Sequence, residues 1–370
     1  MLVTGWLRLL SLGLLALAAC APPPAPASRP PPPTPGAAAA AGPTAAAPAD
    51  MRVRFAIQPV AGYAPLYIAA DRGYFQQEGL EFEFVPFSNA SEMIPALATG
   101  QVEAATAGGN PAGWNAVARG VGFKIVLDLI TFQPGRGATA LVIRKDLYDA
   151  GRGRTLTDLP GLNLGITPPG KATVSACALA AALQRVGLTI DDLTLQPLTF
   201  PDMVPALANG SIDGGILAEP FVTRTRRQGT AVRVMGLDEM YPNFSIAHVA
   251  FSSTFYANRP AAKAFVRAFL RAAREYLAAI DGRTSEADRA EIDAIIARHT
   301  GIDAATVHEM VPSGLSPNGL PNRESMLYCY QYFRDLGLVP EPVSDAAMAA
   351  LWGTDLVEEV LAEIGRVPER

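Results

Sequence analysis

The feature that most constrains the fold of this chain is an internal repeat. Residues 92–103 read EMIPALATGQVE, and residues 202–213 read DMVPALANGSID. Two further pairs of segments match in the same order: 81–87 with 192–198, and 55–59 with 164–168. Each copy alternates short apolar strands with helical segments, a pattern typical of parallel α/β sheets. The repeat therefore predicts two similar α/β lobes.

The repeat also predicts where a ligand would bind. In open α/β sheets, ligands bind beyond the carboxyl ends of the strands. The matched segments place six loops at such ends, three in each lobe: 58–64, 87–91 and 106–111, then 167–173, 200–202 and 217–220. If the two lobes present these loops to each other, the loops form one cleft.

The first fifty residues have the composition of an export signal and a tether. Arg8 precedes an apolar run of 11 residues, 9–19, which is too short to span a bilayer. Residues 17–20 read LAAC and resemble a bacterial lipobox, so residues 1–19 are predicted to be a lipoprotein signal peptide and Cys20 the lipidated residue. The alternative is an ordinary signal peptide in which Cys20 is incidental. Residues 21–49 are Pro or Ala at 23 of 29 positions, which predicts a disordered tether over residues 20–50.

The rest of the chain has about 320 residues, which is more than a single hydrophobic core usually holds, and this length favours two lobes. From residue 50 onward it has 28 Lys and Arg against 35 Asp and Glu, a formal charge of −7, which argues against nucleic-acid binding. Cys177 and Cys329 lie in apolar, helix-like stretches. A disulfide between them is compatible with an oxidising compartment, but two buried free thiols are the prediction.

Residues 62–80, GYAPLYIAADRGYFQQEGL, resemble the opening signature of periplasmic binding proteins for nitrate, sulfonates and taurine. The same signature marks the pyrimidine-binding proteins of the NMT1/THI5-like group. Shorter matches continue to about residue 280, among them DLPG at 158–161 and AEP at 218–220. The resemblance implies a lipoprotein that binds the substrate of an ABC importer. Such a protein closes on a small molecule, and a membrane permease recognises the closed form.

The resemblance also implies an α/β, type II periplasmic-binding fold with two interlobe crossings. These crossings are expected near residues 132–139 and 240–248, and the C-terminal helices are expected to return to the first lobe. Lobe 1 is then expected at 51–135 and 243–370, and lobe 2 at 136–242.

Four candidate ligand contacts lie in one loop of the second lobe. Thr167, Gly170, Lys171 and Thr173 precede a helix predicted at 174–186, whose free N–H groups and dipole favour an anion or a carbonyl oxygen. The alternative is a plain capped helix with Lys171 in solvent. Glu219 is a further candidate, either as an acceptor for a donor-bearing ligand or as the partner of an Arg such as Arg224.

In the first lobe, Gln58 and Tyr63 flank the first predicted helix, where Tyr63 either stacks on a planar ligand or belongs to the core. Ser88 and Asn89 bind ligand or stabilise their own turn. Gly109 permits close backbone approach, and Asn110 offers an amide. The last candidate, His248 near the second crossing, is either a core histidine or a ligand contact.

The sequence disfavours an enzyme, because THI5-type pyrimidine synthases use a cysteine-rich motif and this chain has isolated cysteines. We predict no catalytic residue, cofactor or metal, and a monomer. The six loops contain little Arg, and aromatic residues lie in or near them. The predicted ligand is an organic anion such as a sulfonate or aromatic acid, followed by a pyrimidine-like heterocycle of the thiamine- or riboflavin-precursor type, and then by nitrate.

Overall fold

The computed structural model describes residues 51–87, 90–107 and 109–369. The predicted signal peptide, the tether and Cys20 lie outside these residues, as do Ser88 and Asn89. The described residues form two five-stranded sheets with helices on their faces.

The first sheet consists of β1 Arg52–Ile57, β2 Glu81–Pro86, β3 Ala104–Ala107, β4 Phe123–Phe132 and β10 Phe244–Ser252, in the order β2-β1-β3-β10-β4. Strands β1, β2 and β3 are parallel, and β10 is antiparallel to both β3 and β4. Val53 and Phe55 are fully buried, as is nearly all of β3, because helices cover both faces of the sheet.

The second sheet repeats this arrangement with β5 Thr139–Arg144, β6 Asn163–Ile166, β7 Thr194–Pro197, β8 Gly214–Ala218 and β9 Ala231–Gly236, in the order β7-β6-β8-β5-β9. Strands β6, β7 and β8 are parallel, and β5 is antiparallel to its neighbours. Two pairs of matched segments form β1 and β6, then β2 and β7, and the third pair, 92–103 and 202–213, leads into β3 and β8. The internal repeat is therefore confirmed as a structural repeat.

The helices before strand β10 are α1 Ala64–Asp71, α2 Tyr74–Gln77, α3 Ala90–Ala98, α4 Pro111–Ala118, α5 Lys145–Asp149, α6 Val174–Gln184, α7 Phe200–Asn209, α8 Phe221–Arg227 and α9 Leu237–Met240. Those after it are α10 Ser253–Ala257, α11 Arg259–Ile280, α12 Glu286–Thr300, α13 Ala304–Glu309, α14 Arg323–Asp335, α15 Asp345–Leu351 and α16 Thr354–Ile364. Gly210 ends α7 at φ 78°, a left-handed conformation that glycine adopts without steric strain.

The chain passes between the sheets twice. It leaves the first sheet at Phe132 and enters the second at Thr139, then leaves at Gly236 and returns at Phe244. Two α/β lobes with two crossings are the predicted type II periplasmic-binding fold, and this fold class is confirmed. We call the first sheet and its helices lobe 1, and the second sheet and its helices lobe 2.

The two faces of the second sheet pack differently. Because side chains alternate along a strand, Leu141 and Ile143 of β5 point to one face and Ala140 and Val142 to the other. The first face packs on α6 and α9, within an apolar cluster that continues into lobe 1. The second face packs on α7 and α8 in a separate apolar cluster. Lobe 2 thus shares its core with lobe 1 on the α6 side.

A C-terminal segment, residues 313–319, is fixed along strand β4 of lobe 1. The Thr131 N–H donates to Gly314 O at 2.8 Å, and the Asp128 N–H donates to Gly319 O at 2.9 Å. The Ser316 N–H donates to the Asp128 carboxylate at 2.7 Å. These bonds hold the loop that follows α13 to lobe 1.

Cys177 of α6 and Cys329 of α14 form a disulfide, with an S–S distance of 2.15 Å and a Cα–Cα distance of 5.7 Å. The prediction of two free thiols was therefore wrong. Both residues are buried in apolar helix faces, as the sequence indicated, but those faces pack against each other. Sequence patterns could not show this contact, because 152 positions separate the two cysteines.

Candidate functional site

Loops from both lobes line one interlobe cavity of about 530 Å³, including space that is open to solvent. Val60 and Gly62 come from the loop after β1, and Ala218 and Glu219 from the end of β8. These are two of the six predicted loops, the first of lobe 1 and the third of lobe 2. The ends of β4 and β5 and the C-terminal residues 310–313 complete the wall.

Glu219 is one of two carboxylate residues of the described chain that line this cavity, the other being Asp293, and it is only 5% exposed. It accepts hydrogen bonds from the Thr223 N–H at 2.9 Å and from the Thr223 hydroxyl at 3.0 Å. A third bond, from the Val311 N–H at 3.2 Å, comes from the loop held to lobe 1. Burial raises the pKa of the Glu219 carboxyl above its ordinary value. Glu219 thus bridges the two lobes through Thr223 and Val311, and not through an Arg such as Arg224, which was the structural alternative.

The described residues around the cavity offer an anion little positive charge. Arg289 is the one basic residue among them, and its Nε donates to Asp293 at 2.9 Å. Asp293 also contacts His308 Nδ1 at 2.8 Å. Most of the other lining side chains are apolar, among them Ile130, Phe132, Ile280, Ile296, Val307 and Met310. The arrangement suits an apolar ligand that carries a hydrogen-bond donor.

The predicted loop before α6 is organised by local bonds. Thr173 caps the helix, since its hydroxyl accepts from the Ala176 N–H at 3.2 Å and donates to Gly170 O at 2.9 Å. Lys171 forms an ion pair with Asp191 of lobe 2. Gly170 is buried with φ 74°, and Thr167 is half-buried with its carbonyl bound to the Gly170 N–H. None of the four lines the interlobe cavity.

Two first-lobe candidates, Tyr63 and Gln58, make hydrogen bonds within lobe 1. Tyr63 is buried with a hydrogen bond to Thr106, and burial raises the pKa of its hydroxyl. Gln58 is half-buried, and its carbonyl accepts from Tyr67 OH at 3.3 Å.

The two candidates that follow β3 belong to the start of helix α4. Asn110 caps this helix through the Gly113 N–H at 2.9 Å. Gly109 is buried, and its carbonyl accepts from Trp114 Nε1 at 2.9 Å. Gly109 lines a small separate cavity beside Trp114 rather than the interlobe one.

His248 is fully buried on β10, as in the core alternative. Its Nε2 lies 2.8 Å from Ser245 Oγ, which donates to Asp128 at 2.8 Å. Burial lowers the pKa of His248 to about 4, so the ring is neutral at pH 7. It does not line the interlobe cavity.

A protein-family model described as NMT1/THI5 like matches residues 61–279, more than half of the chain. The chain belongs to the NMT1/THI5-like family. Within the described residues, no helix of this NMT1/THI5-like protein combines the length and the apolar character needed to cross a membrane. The same residues contain no group of three or more His, Cys, Asp or Glu side chains placed to hold a metal ion.

Known proteins extend the similarity of this NMT1/THI5-like chain. The riboflavin-binding protein RibY of Chloroflexus aurantiacus is 30% identical over 245 residues, which cover 63% of this chain and 64% of that protein. The chain therefore spans less than two thirds of this relative's length. The alkanesulfonate-binding protein SsuA of Xanthomonas axonopodis, bound to MOPS, has a similar structure, with a TM-score of 0.61, 19% identity, and coverage of 83% of this chain and 99% of SsuA. The periplasmic nitrate-binding protein NrtA of Synechocystis has a TM-score of 0.66, 13% identity, and coverage of 85% and 89%.

Sequence reasoning missed the C-terminal wall of the cavity in this NMT1/THI5-like protein. Residues 310–313 and Arg289 lie outside both copies of the repeat, and beyond the region that the family model matches. The wall forms because residues 313–319 bind strand β4, a contact between distant parts of the chain. The sequence pattern carries no signal for this contact.

Proposed function

We propose that this protein is the solute-binding receptor of an ABC-type importer, and that it captures a small molecule between its lobes. The observation that carries the proposal is the shared cavity, to which both lobes contribute loops at strand ends. A ligand that contacts both lobes binds the closed form better than the open form, so it shifts the population toward closure. A membrane permease would then recognise the closed form. The family membership and the fold of SsuA and NrtA support this function.

The proposal assigns residues 51–135 and 243–370 to lobe 1 and residues 136–242 to lobe 2, in a monomer on the periplasmic side of a bacterial membrane. Cys20 would carry the lipid anchor, and residues 21–50 would form the tether. Cys20→Ala should release the protein from the membrane fraction or block its maturation. A correctly processed variant that still fractionates with membranes would contradict the anchor and leave the receptor function intact.

For the ligand, the cavity favours a planar heterocycle with an N–H donor over an organic anion, which reverses the order predicted from the sequence. Burying an anion without a cationic partner is unfavourable, and Arg289 is already paired. Glu219 can accept a hydrogen bond from a ring N–H, whereas it repels a sulfonate. The similarity to riboflavin-binding RibY supports the same choice.

A thermal-shift panel of riboflavin, a thiamine-type pyrimidine, an alkanesulfonate, an aromatic acid and nitrate tests the ligand class. A specific ligand at 100 times its dissociation constant adds about 2.7 kcal/mol to the stability of the folded state. We expect a heterocycle to bind, and we expect Glu219→Gln to weaken it at least about tenfold, or about 1.4 kcal/mol. Glu83→Gln is the matched control, because Glu83 is an exposed carboxylate on β2.

The outcomes separate receptor function from ligand class. Binding of the sulfonate or the aromatic acid alone would contradict the heterocycle and retain the receptor. If Glu219→Gln and Glu83→Gln change the ligand affinity equally, Glu219 does not contact the ligand. Mass spectrometry of the bound molecule after incubation tests the enzyme alternative, since a receptor returns its ligand unchanged.

A further inference from the structure

The helices α6 and α14 join the two lobes covalently. The Cys177–Cys329 disulfide links them, and both cysteines are buried. Tyr328 OH donates to Gln184 Oε1 at 3.1 Å, and Tyr332 OH donates to Lys171 O at 3.1 Å. These three contacts lie along the junction between lobe 2 and the C-terminal helix α14.

Helix α14 itself is fixed to lobe 1. The Ser245 N–H of strand β10 donates to Ser325 Oγ at 3.1 Å, and α14 packs against α4 and β10. Apolar side chains of α6, such as Leu179 and Leu183, belong to the same apolar cluster as the core of lobe 1. Separating the lobes at this junction would expose that apolar surface as well as break a covalent bond.

On the opposite face of the second sheet, lobe 2 touches residues 306–311 through polar contacts. Arg227 of α8 forms an ion pair with Glu309 at 2.9 Å and a hydrogen bond with Thr306. The Val311 N–H donates to Glu219 across the lobes at 3.2 Å. Exposed ion pairs of this kind contribute little and are screened by salt. The apolar cluster on this face is confined to lobe 2.

We infer that lobe 2 rotates about the α6–α14 junction and that the cleft opens on the α8 side. This inference rests on the proposed function and specifies how the receptor moves. The disulfide holds one side of the cleft together, and the Arg227–Glu309 and Val311–Glu219 contacts form the latch on the other. A ligand enters past residues 306–311, and closure re-forms the latch beside it.

The oxidation state of the cysteine pair sets this motion. In the oxidised protein the α6 side stays closed while the α8 side opens. Reduction to two thiols, by a dithiol reductant that is itself oxidised to a disulfide, leaves only apolar packing and two tyrosine bonds at the junction. The α6 side then gains freedom, within the limits that the two chain crossings still set.

Spin labels on exposed positions of each side test the inference without any ligand. Labels are placed through a non-canonical amino acid, so that both native cysteines remain. Val186 and Leu327, 41% and 40% exposed, report on the α6 side. Arg224 and Ala305, also exposed, report on the α8 side. Electron paramagnetic resonance then gives the distribution of distances for each pair.

In the oxidised protein we expect one narrow distribution for Val186–Leu327 and an open population for Arg224–Ala305. Glu309→Gln should enlarge that open population severalfold and leave the α6 side unchanged. The double variant Cys177→Ser and Cys329→Ser should broaden the α6 side. If the double variant fails to fold, reduction of the folded protein, verified by its intact mass, replaces it.

Three results would overturn the inference. The first is a broad distribution of Val186–Leu327 distances in the oxidised protein. The second is a narrow distribution of Arg224–Ala305 distances that Glu309→Gln does not change. The third is a distribution of Val186–Leu327 distances that stays narrow without the disulfide. Because no ligand is present, these results are distinguishable from a failure of the receptor function, which the ligand panel alone addresses.

Discussion

Asp128 and His248 are joined through a single hydroxyl group in the core of lobe 1. Ser245 Oγ donates to Asp128 Oδ1 at 2.8 Å and lies 2.8 Å from His248 Nε2. The Ser245 hydroxyl is therefore shared between the Asp128 carboxylate and the His248 ring. Burial raises the pKa of Asp128 to about 6 and lowers that of His248 to about 4. The two groups therefore influence stability in opposite directions.

We expect the pH dependence of stability to reveal these opposing effects. Between about pH 4 and about pH 6 the folded state holds a proton on Asp128 that the unfolded state has lost, so this group makes stability fall as pH rises. His248 is neutral in the folded state and protonated in the unfolded state from about pH 4 to its ordinary pKa, so it makes stability rise. Each contribution is of the order of 3 kcal/mol. In the native protein they largely cancel.

Urea unfolding of two variants separates the contributions. Relative to the native protein, Asp128→Asn should give a free energy of unfolding that rises more steeply with pH across this window. His248→Gln should give one that rises less or falls. Identical pH slopes in all three proteins would contradict the assigned protonation states, even if both variants are less stable throughout.

Gly62 tests whether the interlobe cavity is the ligand site. A Cβ at this position would lie 2.5 Å from Ile130 Cδ1 and 2.8 Å from Ser313 Oγ, both in the cavity wall. Gly62→Ala should therefore weaken the best ligand of the panel at least about tenfold, measured by calorimetry. Gly109→Ala is the matched control, since its Cβ would meet nothing closer than 3.5 Å. Equal affinities of the two variants would place the ligand elsewhere.

The fold was predictable because it depends on local patterns that occur twice. In segments 92–103 and 202–213, a helix ends near a glycine and a buried strand follows. Such features can be predicted from hydrophobic periodicity and from the residues that favour turns. The resemblance implied two crossings: the first lies at Phe132–Thr139 as expected, and the second lies at Gly236–Phe244, four residues before the expected 240–248. The pairing of Cys177 with Cys329 was mispredicted, because it depends on how two distant helices pack.

The candidate site was predictable only at the level of loops. Loops 58–64 and 217–220 meet as expected, but within them the sequence could not say which side chains face the cavity. Polar residues at the ends of strands are also the residues that cap the next helix. Asn110 and Thr173 both serve this local role, and the chain offers no signal that separates a cap from a ligand contact.

The cap residues therefore have a discriminating test. Asn110→Ala and Thr173→Ala should each lower the free energy of unfolding by about 1 kcal/mol, whereas Asn110→Ser and Thr173→Ser keep the accepting oxygen and most of the stability. All four variants should bind the ligand within about threefold of the native protein if capping is the whole role. A Ser variant of normal stability that loses binding tenfold would return that residue to the binding site.

Removing the disulfide should lower stability substantially, because it closes a loop of 152 residues. In the chain-entropy model a loop of this length contributes about 5 kcal/mol, since the cross-link reduces the freedom of the unfolded chain. Replacing Cys177 and Cys329 together by Ser should therefore lower the midpoint of guanidinium unfolding, and reductant should lower it in the native protein but not in the double variant. Reductant that acts equally on both would mean that the native effect has another origin. An unchanged midpoint in the double variant would mean that the apolar packing of α6 on α14, rather than the covalent bond, holds the two lobes together on that side.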